Sequence, residues 1–509
     1  MRKQRCVSDP YDPEATIMST GPKSTASDAA TRVSEMLQRG IAQVKAGEHA
    51  VGISTFEDAE RQATDAGLTA LAAGAAIDRG WALALDGDIE RSIDAYTEGA
   101  ARAREAGDAR RLAIALGNLG IAYTEHQRYG DVIATYQEYA QFFGDDAEDE
   151  VSARLNWGIA LEALGQLGDA TEQLDEAQRV AVNAGLDPAL VRVHLAQGGM
   201  QERTGDVDKA FELYWKAFDI ASEAEDAELV GSVTMVLGYA YTRAQDHSKA
   251  ADCFGEAARA FRHLEDDHRL AIVLYHQGLG LQRLGMLDQA LEVWREAEPL
   301  LRKLGDHQAL GECLLQQALA VGDQLSNLAP DMQFAEAAVA FRAAGALDRL
   351  PEIHFAHAQW CWDRQMDTAA HTHVREALDA LVVSPNAMVE SRARALNAQL
   401  LAEAHEDEQA AAELEAAEAV ARDAGDAEGL TGVLVRRAYV MARAGASYED
   451  VRAQLFAAGD HAREAGHEAQ GRYAADAIAT EIQERCGRAY TDLLGPEDEK
   501  NVPVPMAEG

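Results

Sequence analysis

Along most of the chain, apolar residues recur at helical spacing and are interrupted by short polar turns, a pattern that predicts a succession of amphipathic α-helices. One such helix contains "LGNLGIAY", residues 116–123, with two glycines where each costs about 1 kcal/mol relative to alanine. Steps of forty back from Gly120 land on Gly80 and Gly40. Forward, one step of 38 reaches Gly158, and steps of forty then reach Gly198, Gly238, Gly278, Ala318, Ala358, Ala398 and Ala438. The chain is therefore a tandem repeat of eleven units, each with a small residue at the same place.

Other columns keep the same step. Sixteen residues after the first ten landings come Phe56, Tyr96, Tyr136, Leu174, Tyr214, Phe254, Trp294, Phe334, Val374 and Leu414. Nineteen after them come Ala59, Gly99, Tyr139, Ala177, Ala217, Ala257, Ala297, Ala337, Ala377 and Ala417. Small and large residues alternating at helical spacing let two helices approach and interlock. Each unit is thus expected to be a first helix, a short turn, a second helix and another turn, giving an all-α fold. Gly120 is small because a neighbouring helix lies against it.

Several turns carry Gly-Asp: 87–88, 107–108, 205–206, 305–306 and 425–426. There glycine can end one helix and aspartate cap the next. Pro188, Pro351 and Pro385 fall near helix starts, where proline is tolerated. Pro299 falls late in a second helix and predicts a kink or an early end. In unit eight the stretch "GDQLSNLAPDMQ" lies between the helices, so the second helix starts late, near Pro330, and unit eleven needs one inserted residue.

These units resemble tetratricopeptide repeats. Unit three carries that family's column in Leu119, Gly120, Tyr123, Tyr129 and Tyr136, and unit seven in Gly278, Gly285, Ala290, Trp294 and Ala297. The usual unit has 34 residues, and forty adds about one and a half helical turns. Long units of this kind look like those of the kinesin light chain, spindle-orientation adaptors and sensor arms of bacterial regulators. The resemblance implies a right-handed α-solenoid whose first helices line a concave groove. The expected organisation is a disordered leader over 1–30, the repeats over 31–466, a capping helix over 467–494 and a flexible tail over 495–509.

The net charge of −40 argues against non-specific nucleic-acid binding. No apolar run is long enough to span a bilayer, and the basic start lacks the apolar core of a signal peptide. Five cysteines at wide spacing, with no CxxC pair, suit free thiols in the cytoplasm. Phosphate-loop, HExxH, GxSxG and EF-hand patterns are absent, so no catalytic residue and no cofactor is expected. Unit nine places His354, His357 and Cys361 on one face of its first helix, with His371 and His373 on its second. Such residues can bind zinc. Their columns elsewhere hold packing residues, so the expectation is partly buried, satisfied side chains and no metal.

Binding is the better prospect. With each landing numbered position 8, positions 2, 5, 9, 12 and 13 share one face of the first helix. In tetratricopeptide proteins that face lines the groove. It presents Trp81, Tyr239, Tyr275, Phe355 and Trp362, while position 13 gives Arg203, Arg243 and Arg283, with Arg192 at position 2. Such a row can attract anions, or it can stabilise helix C-termini. The lysine and asparagine clamp of chaperone-binding members is missing. Asn118 and Asn156 at position 6 instead resemble asparagines with which long-unit members hold a peptide backbone. The expected function is a non-catalytic scaffold or adaptor that binds an acidic or phosphorylated segment of another protein. The alternatives are a sensor module binding a signal peptide or small ligand to control a separate effector, and a zinc enzyme centred on unit nine.

Overall fold

The computed structural model describes residues 25–144, 146–324, 330–490 and 493–494. Among them there is no strand, and 23 α-helices follow one another. Contacts divide the chain into two bodies, residues 1–245 with 259–264, and residues 246–258 with 265–509.

In the first body the hairpins are α1 (Thr25–Lys45) with α2 (His49–Asp65), α3 (Thr69–Asp86) with α4 (Ile89–Ala106), and α5 (Ala109–Glu125) with α6 (Tyr129–Tyr139). They continue with α7 (Ala147–Ala163) and α8 (Leu167–Ala184), α9 (Asp187–Thr204) and α10 (Val207–Glu223), and then α11 (Ala227–Arg243). The helix α12 (His247–His263) is shared between the bodies. The second body holds α13 (Asp267–Arg283) with α14 (Leu287–Leu304), α15 (His307–Gln324) with α16 (Asp331–Ala344), and α17 (Leu350–Asp363) with α18 (Asp367–Val383). It ends with α19 (Ala387–Glu403) and α20 (Asp407–Asp423), α21 (Ala427–Arg443) and α22 (Tyr448–Glu464), and a single α23 (Glu468–Cys486). Every odd-numbered helix from α1 to α21 carries one of the eleven small landings.

The interlock between helices is the one the spacing predicts. A Cβ built on Gly120 would stand 2.7 Å from Cε1 of Tyr136, and one on Gly80 would stand 2.7 Å from the Tyr96 ring. Gly158 faces Leu174, Gly198 faces Tyr214 and Gly278 faces Trp294 in the same way. All ten large residues of the sixteen-residue column are buried. In unit eleven Leu455 takes that place, one residue late, and is also buried.

The Gly-Asp turns behave as the sequence suggests. Gly87 and Gly107 end α3 and α4 in the left-handed region, at φ 89° and 66°. Asp88 and Asp108 then accept the backbone N–H of Arg91 and Arg111. The same cap recurs at Asp206, Asp306 and Asp426.

Two expectations are corrected. The helix α1 already begins at Thr25, inside the expected leader, because "TASDAA" combines good helix formers with Asp28 in the first turn. Pro299 does not end its helix: α14 runs through it to Leu304. Trp294, Ala297 and Leu301 are buried on the packed side of α14, and that burial outweighs the one hydrogen bond proline removes.

The second helix of unit eight starts at Asp331, directly after Pro330, as expected. The expected tail and residues 1–24 of the expected leader lie outside the described residues. At the C-terminal end, the Tyr490 hydroxyl donates to the carbonyls of Ala442 and Ala446, and Arg452 donates to that of Leu493.

Candidate functional site

The residues proposed from sequence as groove contacts separate by their environments. Arg203 and Arg243 stand one repeat apart on α9 and α11, each reaching back to a carboxylate of the preceding unit. Arg203 donates from Nε to Glu162 at 2.5 Å, and Arg243 grips Glu202 with two bonds of 2.5 and 2.6 Å. Glu202 also accepts from the Tyr214 hydroxyl. The hydrogen bond from Arg243 holds its carboxyl below the usual range. The acids are well covered and the arginine ends exposed, so these pairs tie successive repeats together. Arg192 and Arg283 are exposed. One repeat upstream of Arg283 the matching residue is Thr242 rather than a glutamate.

Other members of the set are partly or wholly built into packing. Trp81 lies half-buried against the first core cluster. Asn156 donates to the Tyr136 hydroxyl at 3.2 Å. Tyr239 and Tyr275 are half-buried, and burial raises both phenols, that of Tyr275 to about 12. Trp362 is 2% exposed and does not line an open face, which corrects its assignment to the groove. The Arg485 guanidinium lies 4.0 Å over its ring, and Tyr439 meets it edge-on. Arg485 comes from α23 and also bonds Asp367 and the Trp362 carbonyl, so the last helix covers the indole. Asn118 is 6% exposed, and among the described residues its side-chain oxygen has no hydrogen-bond partner.

Phe355 lines a cavity of about 180 Å³ in the second body. Its other walls include Arg392 from α19, Glu428, Gly429, Thr431, Gly432 and Arg436 from α21, and His467, Gln470 and Gly471 at the start of α23. All four contributing helices are odd-numbered ones, and Phe355 and Arg392 occupy positions 5 and 2 of the face read as binding from sequence.

Arg436 is the unusual group. Its guanidinium donates to the side-chain oxygens of Gln399 and Gln359, each at 2.9 Å, and among the described residues no carboxylate bonds it directly. Burial pulls its pKa below the ordinary value, and Arg392 adds repulsion. Two acids act from farther off. Asp363 is bonded to Gln359, and Glu481 is pushed up to about 7 by burial. A cavity wall with two mutually repelling cations, one of them held by neutral amides, is suited to receive an anion.

Sequence reading missed both arginines. Arg392 occupies position 2, as Arg192 does, and could have been found by extending that column. Arg436 occupies position 6, the column of Asn118 and Asn156, and could have been found by extending that column in turn.

No protein-family model and no curated protein matches the chain. Solved structures match it over long stretches at low identity. The apo form of the quorum sensor NprR from B. thuringiensis is 12% identical, with a TM-score of 0.42, covering 69% of this chain and 99% of its own. The aspartyl phosphate phosphatase F from Bacillus subtilis is 13% identical, with a TM-score of 0.41, covering 73% of this chain and 94% of its own. A Rap protein complexed with competence and sporulation factor is 13% identical, with a TM-score of 0.39, covering 69% and 97%.

The architecture defines a class, that of helical-repeat proteins. More particularly, its units of about forty residues resemble tetratricopeptide repeats, with a small residue in the first helix and, in the first ten units, a large one sixteen residues on. No helix among the described residues is long and apolar enough to cross a membrane.

Proposed function

We propose that the protein is a non-catalytic scaffold that binds an extended segment of another protein across its first helices, with an anionic group of that segment in the cavity of Phe355, Arg392 and Arg436. The observation that carries this reading is Arg436, a desolvated guanidinium without a direct carboxylate partner, beside a second arginine in a chain of net charge −40. A carboxylate or phosphate entering there would make charge-assisted bonds that neutral groups cannot replace.

The test is affinity capture from host lysate with the wild type, Arg392→Glu and, as a control on a second helix of the same body, Arg375→Glu. A partner captured by wild type and control but lost from Arg392→Glu supports the cavity. The same proteins captured by all three would remove it. The row of Arg203, Arg243 and Arg283 is tested beside it by the triple change to glutamate, with equal helicity checked first. Because Arg203 and Arg243 are engaged by Glu162 and Glu202, we expect that triple variant to lose stability more than partner binding.

A further inference from the structure

We propose that His357, Cys361 and His373 bind one Zn²⁺, stapling α17 to α18. His357 and Cys361 lie one helical turn apart on α17, and His373 comes from α18 with its ring stacked on that of His357 at 3.7 Å and 20°. Each of the three offers one ligand atom, and these atoms lie within 4.8 Å of one another. Tetrahedral zinc with bonds of about 2.0–2.3 Å needs ligand atoms roughly 3.5 Å apart and in the plane of each ring, so the half-exposed His373 ring has to turn out of its stack on His357 when the metal binds.

The surroundings add a second, independent reason. His357 Nε2 meets Asp331 at 2.9 Å, and His373 Nδ1 meets Glu376 at 2.9 Å. A carboxylate on one nitrogen fixes the tautomer and leaves the other with its lone pair, the arrangement in which metal-bound histidines are held. That leaves Nδ1 of His357 and Nε2 of His373 to face a metal. His354 sits behind Glu376 at 3.1 Å and steadies it. Cys361 is fully buried and free of any disulfide, and His357 is 6% exposed, so the thiolate side of the site is dry. A fourth position is left for water on the side of the half-exposed His373.

The repeat supplies its own comparison. At the positions of His357, Cys361 and His373, unit seven has Gln277, Leu281 and Val293, and unit ten has Asn397, Leu401 and Glu413. Polar residues occur in these places too, and the expected satisfied, partly buried side chains are found, since Asp331 and Glu376 engage the two rings; what sets unit nine apart from units seven and ten is that two imidazoles and a thiol come together. Two imidazoles and a thiolate select zinc over harder cations.

The experiment uses the untagged, reduced, chelator-stripped full chain, titrated with CoCl₂ and then with ZnCl₂. The expected result is one Co²⁺ per chain with a thiolate-to-cobalt charge-transfer band, displaced by Zn²⁺. Cys361→Ser should lose that band. His373→Ala, a change at a half-exposed ring that leaves the hairpin core intact, should weaken binding about tenfold or more. No bound cobalt, a band retained in Cys361→Ser, or unchanged affinity in His373→Ala would each overturn the site.

Discussion

Adding a single methyl group at Gly120 tests the interlock directly, because Tyr136 fills the space that it would need. Alanine gains about 1 kcal/mol of helix propensity, but overpacking against a buried ring costs about 1–3 kcal/mol. Gly120→Ala is therefore expected to destabilise, read as a lower urea midpoint. Tyr136→Leu should lessen that cost, since Ala398 and Leu414 occupy the same two positions in unit ten. The coupling is measured as a double-mutant cycle. Arg243 gives a second test. Its bond to Glu202 holds that carboxyl below its unfolded value of about 4.3, so the stabilisation is present above that pH and lost as pH falls through the folded value. Arg243→Ala should lower stability at pH 7 by about 0.5–1 kcal/mol, and the gap from wild type should close in acid. At this scale the Gly120–Tyr136 contact was legible because it is a fixed step of sixteen. Trp362 was misjudged because its cover, Arg485, comes from 123 residues farther along the chain.

Among the elements, the helix α14 is the informative case. Proline in a helix interior costs about 3 kcal/mol, and the sequence predicts that Pro299 breaks or bends the helix. The helix is not broken there, because burial on one face holds it together. Pro299 itself is exposed, so Pro299→Ala should raise the thermal midpoint without changing the fold. An unchanged or lower midpoint would mean that the proline fits a bend the packing uses. Helix starts were readable because an aspartate acts on a backbone N–H three residues away. The cavity was not, because it gathers residues from α17, α19, α21 and α23, whose register against each other is set by packing and not by any local step. The pairing of His373 with His357 lies between these extremes. The spacing put both on one hairpin, but the facing of their rings needed the crossing of α17 and α18.

For the whole molecule, the charge of −40 works against the folded chain by self-repulsion. Raising salt from about 0.01 M to about 1 M shortens the screening length from roughly 30 Å to 3 Å. The thermal midpoint should therefore rise with NaCl. A fall would show that Arg–Glu pairs between repeats, such as Arg243 with Glu202 and Arg443 with Glu403, outweigh the repulsion. The interlock has one more consequence. At Gly40, Gly80, Gly120, Gly158, Gly198 and Gly278 the small residue meets its large partner inside its own hairpin, so such a unit brings both halves of its key with it. At the level of the gene, a block of about 120 base pairs can be duplicated or deleted with its key intact, only the contacts between neighbouring units having to match, and array length becomes a quantity that recombination can change one unit at a time.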